Sequence, residues 1–246
     1  MTQHTPLVTL RYSVSKAYHR VIERSPVPGT PTLDQHPIYL EEVMKIAVIG
    51  GTGMVGSATV TEAAGRGHEV VSTSRSGRHA EGAAQDVTLT LADTQAVVDL
   101  VNGSDATVIT VSAGRGESAQ PVIDAHRALI AAAPTGRIIV VGGAGSLLTP
   151  DGTHLVDTPG FPEEYKPEAL AFTEILDLYR EAGSTLTWTF LSPAPEFTDK
   201  PRTGTYTEGG DQPAGSEISV ADFAVALVDE AEKDAHRGHR WTIANA

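Results

Sequence analysis

A glycine-rich turn between an apolar run and a helical stretch constrains the fold of this chain most. Residues 46–49 form a short apolar run, which is typical of a strand buried on both faces. The turn GGTGMVG, residues 50–56, follows, and the helical stretch at 54–64 then ends at two glycines. A second apolar run at 69–74 completes a strand, turn, helix and strand within about 30 residues, which predicts a βαβ unit.

The three glycines spaced three residues apart suit three different tasks. One turns the chain off the strand, one lets the backbone approach a pyrophosphate, and one lets the helix pack close to the strand. Gly50, Gly53 and Gly56 fit these tasks. The free N–H groups at the start of the helix would then face a diphosphate, helped by the helix dipole. Because the turn lies between a strand and a helix, dinucleotide binding is favoured over a glycine turn that binds nothing.

The end of the second strand bears on the choice between NADP and NAD. An NAD site usually has an Asp or Glu here to hold the ribose 2′-hydroxyl, whereas this chain has Ser72-Thr73-Ser74-Arg75. The guanidinium groups of Arg75 and Arg78 match the oxygens of a 2′-phosphate, although two solvated loop arginines are the alternative. The sequence therefore favours NADP, with NAD still open.

Composition excludes several classes of function. The chain of 246 residues contains no cysteine, which rules out disulfides, thiol catalysis and thiolate metal sites. Residues 1–43 carry four basic and four acidic side chains, so the whole net charge of −13 lies on residues 44–246. This charge argues against nucleic acid and anionic membranes as partners. No apolar stretch approaches the length of a membrane span and no secretory signal is apparent, so a cytoplasmic protein is expected.

The first 43 residues differ from the rest of the chain. They are rich in proline and polar residues and show little periodicity, which predicts a disordered extension. A second hypothesis makes them a non-native leader, because Met44 stands directly before the first strand. The predicted dinucleotide-binding domain is residues 44–246, and N-terminal sequencing of the native protein would test the leader hypothesis.

The remainder of the chain repeats the alternation of strands and helices. Further strands are predicted at residues 83–89, 106–111, 137–141, 186–191 and 240–243. Further helices are predicted after Asp93, at 119–132, at 167–182 and after Ser219. This order predicts an α/β fold, a single Rossmann-like doubly wound parallel sheet with helices on both faces. Two long loops, after residues 141 and 191, are expected to shape a substrate pocket.

Two of the predicted helices begin with capping residues. Asp93 and Ser219 each precede a helical stretch, and Asp222 stands at the position that reciprocates the Ser219 cap. The core face of the helix after Asp93 is predicted to hold Ala96, Val97, Leu100 and Val101.

Other polar residues admit two interpretations. Asp86, near the end of the third strand, either accepts the adenine amino group, with Val87 against the ring, or is a turn residue at a strand end. Ser112-Ala113 ends the fourth strand, at the edge of the sheet where ligands bind. His126 is expected to be satisfied or solvent-facing. The pair His236 and His239 lacks a third ligand, so no metal site is predicted.

Several motifs together resemble a known family. They are KIAVIGGTGMVGS, Arg75, RIIVVGGAGSLL, LVDTPGFPEEYKPEAL, LTWTFLSPA, RTGTYTEGGDQ and EISVADFAVALVDE. The chain resembles the atypical short-chain dehydrogenase/reductases with an NAD(P)H-binding domain, of the NADH-flavin reductase group. Flavin/biliverdin-IXβ reductases and NmrA-like proteins are their relatives. The resemblance covers residues 44 to about 245, and its most specific part is residues 142–170.

The resemblance implies one Rossmann domain that binds NADP across the strand ends. It also implies hydride transfer to a flavin, quinone or similar flat small-molecule acceptor, with the flavin a substrate and not a tightly bound group. The cofactor contacts that it implies are Gly50, Thr52, Gly53, Met54, Val55, Gly56, Ser74, Arg75, Asp86, Val87, Ser112, Ala113, Gly142, Gly143, Ser192, Pro193 and Ala194.

One departure from the usual short-chain dehydrogenases affects the expected chemistry. Those enzymes carry Tyr-x-x-x-Lys, in which the lysine lowers the pKa of a tyrosine that acts as general acid. Here Tyr165 is followed four residues later by Ala169, and Lys166 is adjacent to it. Flavin reduction has no need of this pair, because solvent can supply the proton.

Two residues remain candidates for catalysis as proton donors. They are Tyr165 and Ser146, against the alternatives of a loop-packing tyrosine and a turn serine. Phe161 and Tyr206 are candidate pocket walls.

The sequence leaves three functions open. The first is an NAD(P)H-dependent reductase, and the second is an NADP-sensing regulator that does not turn over. The third is a sugar-nucleotide epimerase or ketone reductase, which the missing lysine disfavours. A monomer or homodimer is expected.

Overall fold

The fold is described from a computed structural model, which covers residues 42–113 and 118–246. Residues 44–246 form one compact unit. The predictions for residues 1–41, and for the loop residues 114–117, lie outside the described residues. The interpretation of the first 43 residues as an extension or leader therefore stays a prediction.

Ten strands and five α-helices alternate along the described chain. The strands are β1 (Lys45–Ile49), β2 (Glu69–Ser74), β3 (Gln85–Thr88), β4 (Ala106–Ile109), β5 (Arg137–Val141), β6 (Thr187–Pro193), β7 (Glu196–Thr198), β8 (Thr207–Gly209), β9 (Glu217–Ser219) and β10 (Arg240–Ala244). The helices are α1 (Met54–Gly65), α2 (Thr94–Asn102), α3 (Gln120–Ala132), α4 (Lys166–Ala182) and α5 (Val220–Lys233).

Eight of the strands form one sheet, in the order β3-β2-β1-β4-β5-β6-β10-β8. All neighbours are parallel except the pair of β10 and β8. The first six strands follow the order 3-2-1-4-5-6 of a Rossmann sheet, and β7 pairs with β9 in a small separate sheet. The order reverses between β1 and β4, where Ile49 lies opposite both Thr73 and Ile109. A ligand cleft is expected above the carboxyl ends of these two strands.

Helices cover both faces of the sheet, as predicted. On one face α1 and α5 pack on a core that includes Phe223 and Trp241. On the other face α2, α3 and α4 pack on a core that includes Trp188 and Phe190. Because both faces are covered, the central strands are apolar throughout, which explains why they could be found from apolar runs alone.

Several predicted boundaries need correction. Strand β3 is shorter than residues 83–89, because the N–H of Ala83 still bonds to Ala80 O in the preceding turn and the N–H of Ala84 is the first to bond to β2, at Val70 O. Strand β6 extends past residue 191 to Pro193, which lies opposite Ile243 of β10. The three short strands β7, β8 and β9 lie within or after the second long loop, and at three residues each they are too short for a period-two pattern to predict.

The predicted start of α2 was partly wrong. Asp93 occupies the N-cap position, but its side chain does not cap the helix. Its carboxylate instead accepts from the N–H and hydroxyl of Thr90, both at 2.8 Å, as in an aspartate turn. Val97 and Val101 are buried as predicted, whereas Ala96 is exposed.

The cap of α5 is confirmed, with a different reciprocal contact. Ser219 Oγ accepts from the N–H of Asp222 at 3.0 Å. The N–H of Ser219 donates to Asn245 and not to Asp222. The Asp222 carboxylate instead accepts from the N–H groups of Thr203 and Gly204, both at 2.8 Å, and so fixes the loop before β8. Burial raises the pKa of Asp222, but these hydrogen bonds outweigh it, and the pKa is lowered overall.

His126 is buried between α3 and α4. Its Nδ1 lies 3.1 Å from the Tyr179 hydroxyl, and the two rings meet edge to face with centroids 5.7 Å apart. His126 is therefore not solvent-facing, and the expectation of a satisfied histidine holds only for Nδ1, because Nε2 has no partner among the described residues. Burial lowers the pKa of His126 from 6.5 to about 3.

This buried histidine predicts a pH-dependent stability. Below its ordinary pKa of 6.5, His126 binds a proton in the unfolded chain but not in the folded one until about pH 3. The free energy of unfolding should therefore fall with decreasing pH in this range, by up to about 1.4 kcal/mol per pH unit from this residue. The variant His126→Gln keeps a partner for Tyr179 without a titrating ring. Urea unfolding between about pH 6 and pH 5 should show a flatter dependence in the variant, and equal slopes would contradict this account.

Candidate functional site

The glycine turn lies at the carboxyl end of β1. Gly50 has a φ of +88°, a left-handed conformation that favours glycine. The N–H groups of Gly50 and Gly51 donate to Thr73 O of β2, at 3.1 and 2.9 Å. The turn is therefore held against the neighbouring strand, and the predicted turning role of Gly50 agrees with its geometry.

Gly56 brings α1 into contact with this turn. A Cβ added to Gly56 would lie 2.1 Å from Gly50 O and 2.7 Å from Thr110 Oγ1, both far inside van der Waals contact. The close helix-to-turn packing predicted for the third glycine is therefore present.

Thr110 is a residue of this site that the sequence did not reveal. Its hydroxyl can donate to Ile49 O at 3.0 Å or to Gly50 O at 3.1 Å. This hydrogen bond links the end of β4 to the glycine turn. Its only signal in the sequence is its place directly after the apolar run of β4.

The N-terminal end of α1 at Gly53 and Met54, called its mouth below, is open to a ligand. Gly53 is its N-cap residue, no side chain caps it, and no acidic residue lies in the first turn. Helix geometry leaves the first N–H groups without intrahelical acceptors, and the dipole places about half a positive charge there. A Cβ on Gly53 would lie 3.3 Å from Gly50 O, so the backbone is already closely folded here. These donors, with no side chain capping them, fit a diphosphate-bearing cofactor.

The loop after β2 carries two arginines and places one of them, Arg78, beside this mouth. Arg75 and Arg78 are exposed, whereas Ser74 is buried at the end of the strand. Arg78 Nη2 donates to Thr52 O of the glycine turn at 3.3 Å. The two arginines lie where the ribose of a dinucleotide is expected, next to the second strand.

Asp86 and Val87 lie on β3, opposite Ser72 and Thr73 of β2. Val87 is half-buried. The Asp86 carboxylate already has two partners in the preceding loop, His79 Nδ1 at 2.6 Å and the N–H of Ala80 at 3.0 Å. The His79 contact, followed by that of Ala80, lowers the pKa of Asp86. These contacts support the interpretation of Asp86 as a turn residue at a strand end, because its carboxylate holds the loop before β3.

The other predicted cofactor residues follow the next three strands. Ser112 and Ala113 come after β4, Gly142 and Gly143 after β5, and Ser192, Pro193 and Ala194 at the end of β6. Since β4, β5 and β6 are adjacent and parallel, all seven lie along one edge of the sheet. A Cβ on Gly142 would lie 2.0 Å from the Phe190 ring, so a side chain here would have to displace that buried ring.

The two candidate proton donors differ in exposure. Tyr165 is 41% exposed and ends a 3₁₀ turn, Glu163–Tyr165, directly before α4. Ser146 is buried, and its Oγ accepts from Arg240 Nη1 at 3.4 Å. A donor role for Ser146 gains no support from this placement. Lys166 pairs with Glu163, and Ala169 is buried in α4 at the position of the missing lysine.

The candidate pocket walls also have structural partners. The Tyr206 hydroxyl donates to Asp229 at 2.9 Å and its ring packs against Trp241, so it fastens its loop to α5. Phe161 is half-buried.

His236, one of the two histidines considered as metal ligands, stacks on Trp241 with ring centroids 3.9 Å apart.

Within the described residues, no three His, Asp or Glu side chains come together as metal ligands. Within the same residues, no helix combines the length and the apolar character that crossing a bilayer would require.

Comparison with known proteins decides the family. The model of a family described as NAD(P)H-binding matches residues 50–234, from the glycine turn to the end of α5. The chain belongs to this NAD(P)H-binding family. The matched residues include the open mouth of α1 and the carboxyl ends of the strands up to β6. The geometry of this site fits a dinucleotide, and the family is described as binding the dinucleotide NAD(P)H.

Proteins similar to this chain come from several bacteria. The uncharacterized protein YwnB of Bacillus subtilis (strain 168) is 38% identical over 212 residues, which are 81% of this chain and 98% of that protein. The crystal structure of SP1627 from Streptococcus pneumoniae TIGR4, named a putative NADH-flavin reductase, is 38% identical with a TM-score of 0.72. It covers 82% of this chain and all of its own, 100%.

A third similar structure has a different name. A protein of Bacteroides thetaiotaomicron, named a putative epimerase, is 32% identical with a TM-score of 0.70 and covers 83% of this chain and 98% of its own. Family membership thus supports an NAD(P)H-dependent oxidoreductase with a nicotinamide cofactor, and it leaves the acceptor open.

Proposed function

We propose that this protein is an NADPH-dependent reductase that transfers hydride to a flavin, a quinone or a similar flat acceptor. The observation that carries the proposal is the uncapped, glycine-lined mouth of α1, with Arg78 bonded to its turn and Arg75 exposed in the same loop after β2. A guanidinium binds phosphate oxygens well, and no carboxylate stands at the end of β2 to hold a ribose 2′-hydroxyl.

The chain's own residues have binding and orienting roles in this proposal. N–H groups of residues 54–56 hold the diphosphate, and Arg75 and Arg78 hold the 2′-phosphate. The ends of β4, β5 and β6 then support the nicotinamide half, which when bound supplies a hydride. The acceptor takes up this hydride and, in the case of a flavin, one proton from solvent. The protein contributes mainly proximity and orientation, so the absence of a Tyr-x-x-x-Lys pair is no obstacle.

Exposed apolar side chains support a flat acceptor. Among the described residues, four large apolar side chains are exposed, and three of them lie near the start of a helix: Met54, Tyr165 and Leu170. Met54 begins α1, whereas Tyr165 and Leu170 flank the start of α4. Both helices start at the carboxyl edge of the sheet, because each follows a parallel strand. Exposed apolar side chains at this edge of the sheet suit the face of a planar ring.

Steady-state oxidation of NADPH tests the reaction. The purified full chain would be mixed with NADPH and, in separate assays, FMN, FAD and quinones, with the absorbance of the reduced nicotinamide followed. Acceptor-dependent oxidation of NADPH is expected with at least one of them. Tight binding of NADPH without oxidation by any acceptor would favour the second candidate, an NADP-sensing regulator, for which the missing Tyr/Lys pair is the supporting observation.

The epimerase or ketone-reductase alternative has less support. The Bacteroides relative carries an epimerase name, but such chemistry usually needs a positioned general acid or base. In this chain the place of the assisting lysine is taken by the buried Ala169.

Arg75→Ala should weaken NADPH binding much more than NADH binding. A hydrogen bond to a charged group contributes about 1.5–3 kcal/mol, so the dissociation constant for NADPH should rise about 10- to 100-fold. Calorimetric titration of both nucleotides measures the difference. Arg127→Ala is the matched control, because Arg127 is also an exposed arginine but pairs with Glu174 between α3 and α4. Equal losses of NADPH and NADH in Arg75→Ala would show that Arg75 does not bind the phosphate.

A further inference from the structure

The loop that carries the two arginines is attached to the sheet near its start. Gly77 has a φ of +65°, and its N–H bonds to Ser74 O at 3.3 Å. A Cβ on Gly77 would lie 2.3 Å from Thr88 Oγ1, so the loop lies directly against the end of β3. After this turn, Arg78 reaches towards the glycine turn through its 3.3 Å contact with Thr52 O.

Asp86 attaches the same loop immediately after Arg78. One carboxylate oxygen receives His79 Nδ1 at 2.6 Å, and the other receives the N–H of Ala80 at 3.0 Å. Ala80 itself is buried in the core beneath α1. The His79 side chain, in contrast, is 71% exposed, so its position is set by Asp86 and not by packing.

We propose that Asp86 is a positioning residue for NADPH selectivity, which rests on the proposed function. It holds His79 and Ala80 so that the preceding Arg78, and with it Arg75, faces the 2′-phosphate. This role differs from the adenine contact expected from the sequence, because it acts through the loop and concerns the phosphate alone. Without Asp86, the loop must become ordered when the nucleotide binds, and that ordering weakens binding only where the arginines are used.

The two roles of Asp86 predict different binding patterns. If Asp86 positions the arginines, Asp86→Ala should raise the dissociation constant for NADPH about tenfold and change that for NADH less than about twofold. If Asp86 contacts adenine, both nucleotides should weaken equally, because both carry the same adenine. Calorimetric titration of the full chain with NADPH and NADH separates these cases.

Two further variants test whether Asp86 acts through the arginines. The variant Asp86→Asn should retain most of the preference for NADPH over NADH, because its amide oxygen can still accept from the N–H of Ala80 and its amide nitrogen can donate to His79. In a chain that already carries Arg75→Ala and Arg78→Ala, Asp86→Ala should have no further effect on either nucleotide. Thermal unfolding of each variant controls for loss of the fold.

The outcomes distinguish this inference from the proposed function. A wild-type chain that binds neither nucleotide, or binds both equally, overturns the NADPH proposal and this inference with it. A wild-type chain that prefers NADPH, with the same preference in a folded Asp86→Ala variant, overturns the positioning role alone. An undiminished effect of Asp86→Ala in the double arginine variant also overturns it.

Discussion

Replacing Gly56 by alanine is expected to abolish dinucleotide binding and to destabilise the domain. The added Cβ would lie 2.1 Å from Gly50 O and 2.8 Å from Gly50 C, which are backbone atoms of the turn. Because neither the helix nor the turn can yield alone, α1 must move away from β1. Such overpacking costs about 1–3 kcal/mol of stability. The displaced N–H groups would also lose several charge-assisted hydrogen bonds at once, which should weaken NADPH more than about 100-fold.

A matched substitution in the same helix controls for glycine replacement. A Cβ on Gly65, the last residue of α1, has no atom within 4 Å. Gly65→Ala should leave NADPH affinity unchanged and keep or slightly raise stability, by about 0.4–1 kcal/mol. Calorimetric titration and urea unfolding of the two variants make the comparison. If Gly56→Ala binds NADPH as well as Gly65→Ala does, the close packing of α1 on the glycine turn does not set the site.

Replacing Glu230 by alanine should destabilise the protein strongly and leave its nucleotide affinity unchanged. Glu230 is buried at the end of α5, and its carboxylate receives Arg137 Nη2 at 2.7 Å and His236 Nδ1 at 2.8 Å. The Thr189 hydroxyl donates to the same carboxylate at 2.9 Å. Breaking a buried ion pair by removing one partner costs about 3–5 kcal/mol, because the other charge stays buried. The loss should lie at the lower end of this range, because Asp234 Oδ1 still lies 3.0 Å from Arg137 Nε.

An exposed ion pair provides the control for Glu230→Ala. Arg127 Nη2 and Glu174 Oε1 lie 2.8 Å apart, and both side chains are 48% exposed. Glu174→Ala should therefore change the free energy of unfolding by no more than about 1 kcal/mol. Urea unfolding measures both variants, and NADPH titration of the folded proteins should give the wild-type dissociation constant. A loss below about 1 kcal/mol in Glu230→Ala would contradict the account of this buried network.

The parts of the fold that depend on local sequence could be predicted. The apolar runs of β1, β4 and β5 identified strands because a doubly covered parallel sheet leaves them no polar face. The glycine turn could also be placed, because its φ and its close packing require glycine at Gly50 and Gly56.

The parts that depend on distant contacts could not be predicted. Thr110 bonds to a carbonyl 60 residues earlier, and Asp222 to N–H groups 18 and 19 residues earlier. Asp86 was open between two interpretations because its partner His79 lies in an irregular loop, whose path no periodicity specifies. In each case the residue type is ordinary, and only the folded chain shows which backbone groups it reaches.

The central claim is that the open mouth of α1 holds the diphosphate of NADPH. Calorimetric titration of the purified wild-type chain with NADPH and NADH, at concentrations up to millimolar, tests it most directly. We expect saturable binding of NADPH at one site, with NADH bound at least about tenfold more weakly. Absence of heat with either nucleotide across this range would contradict the claim.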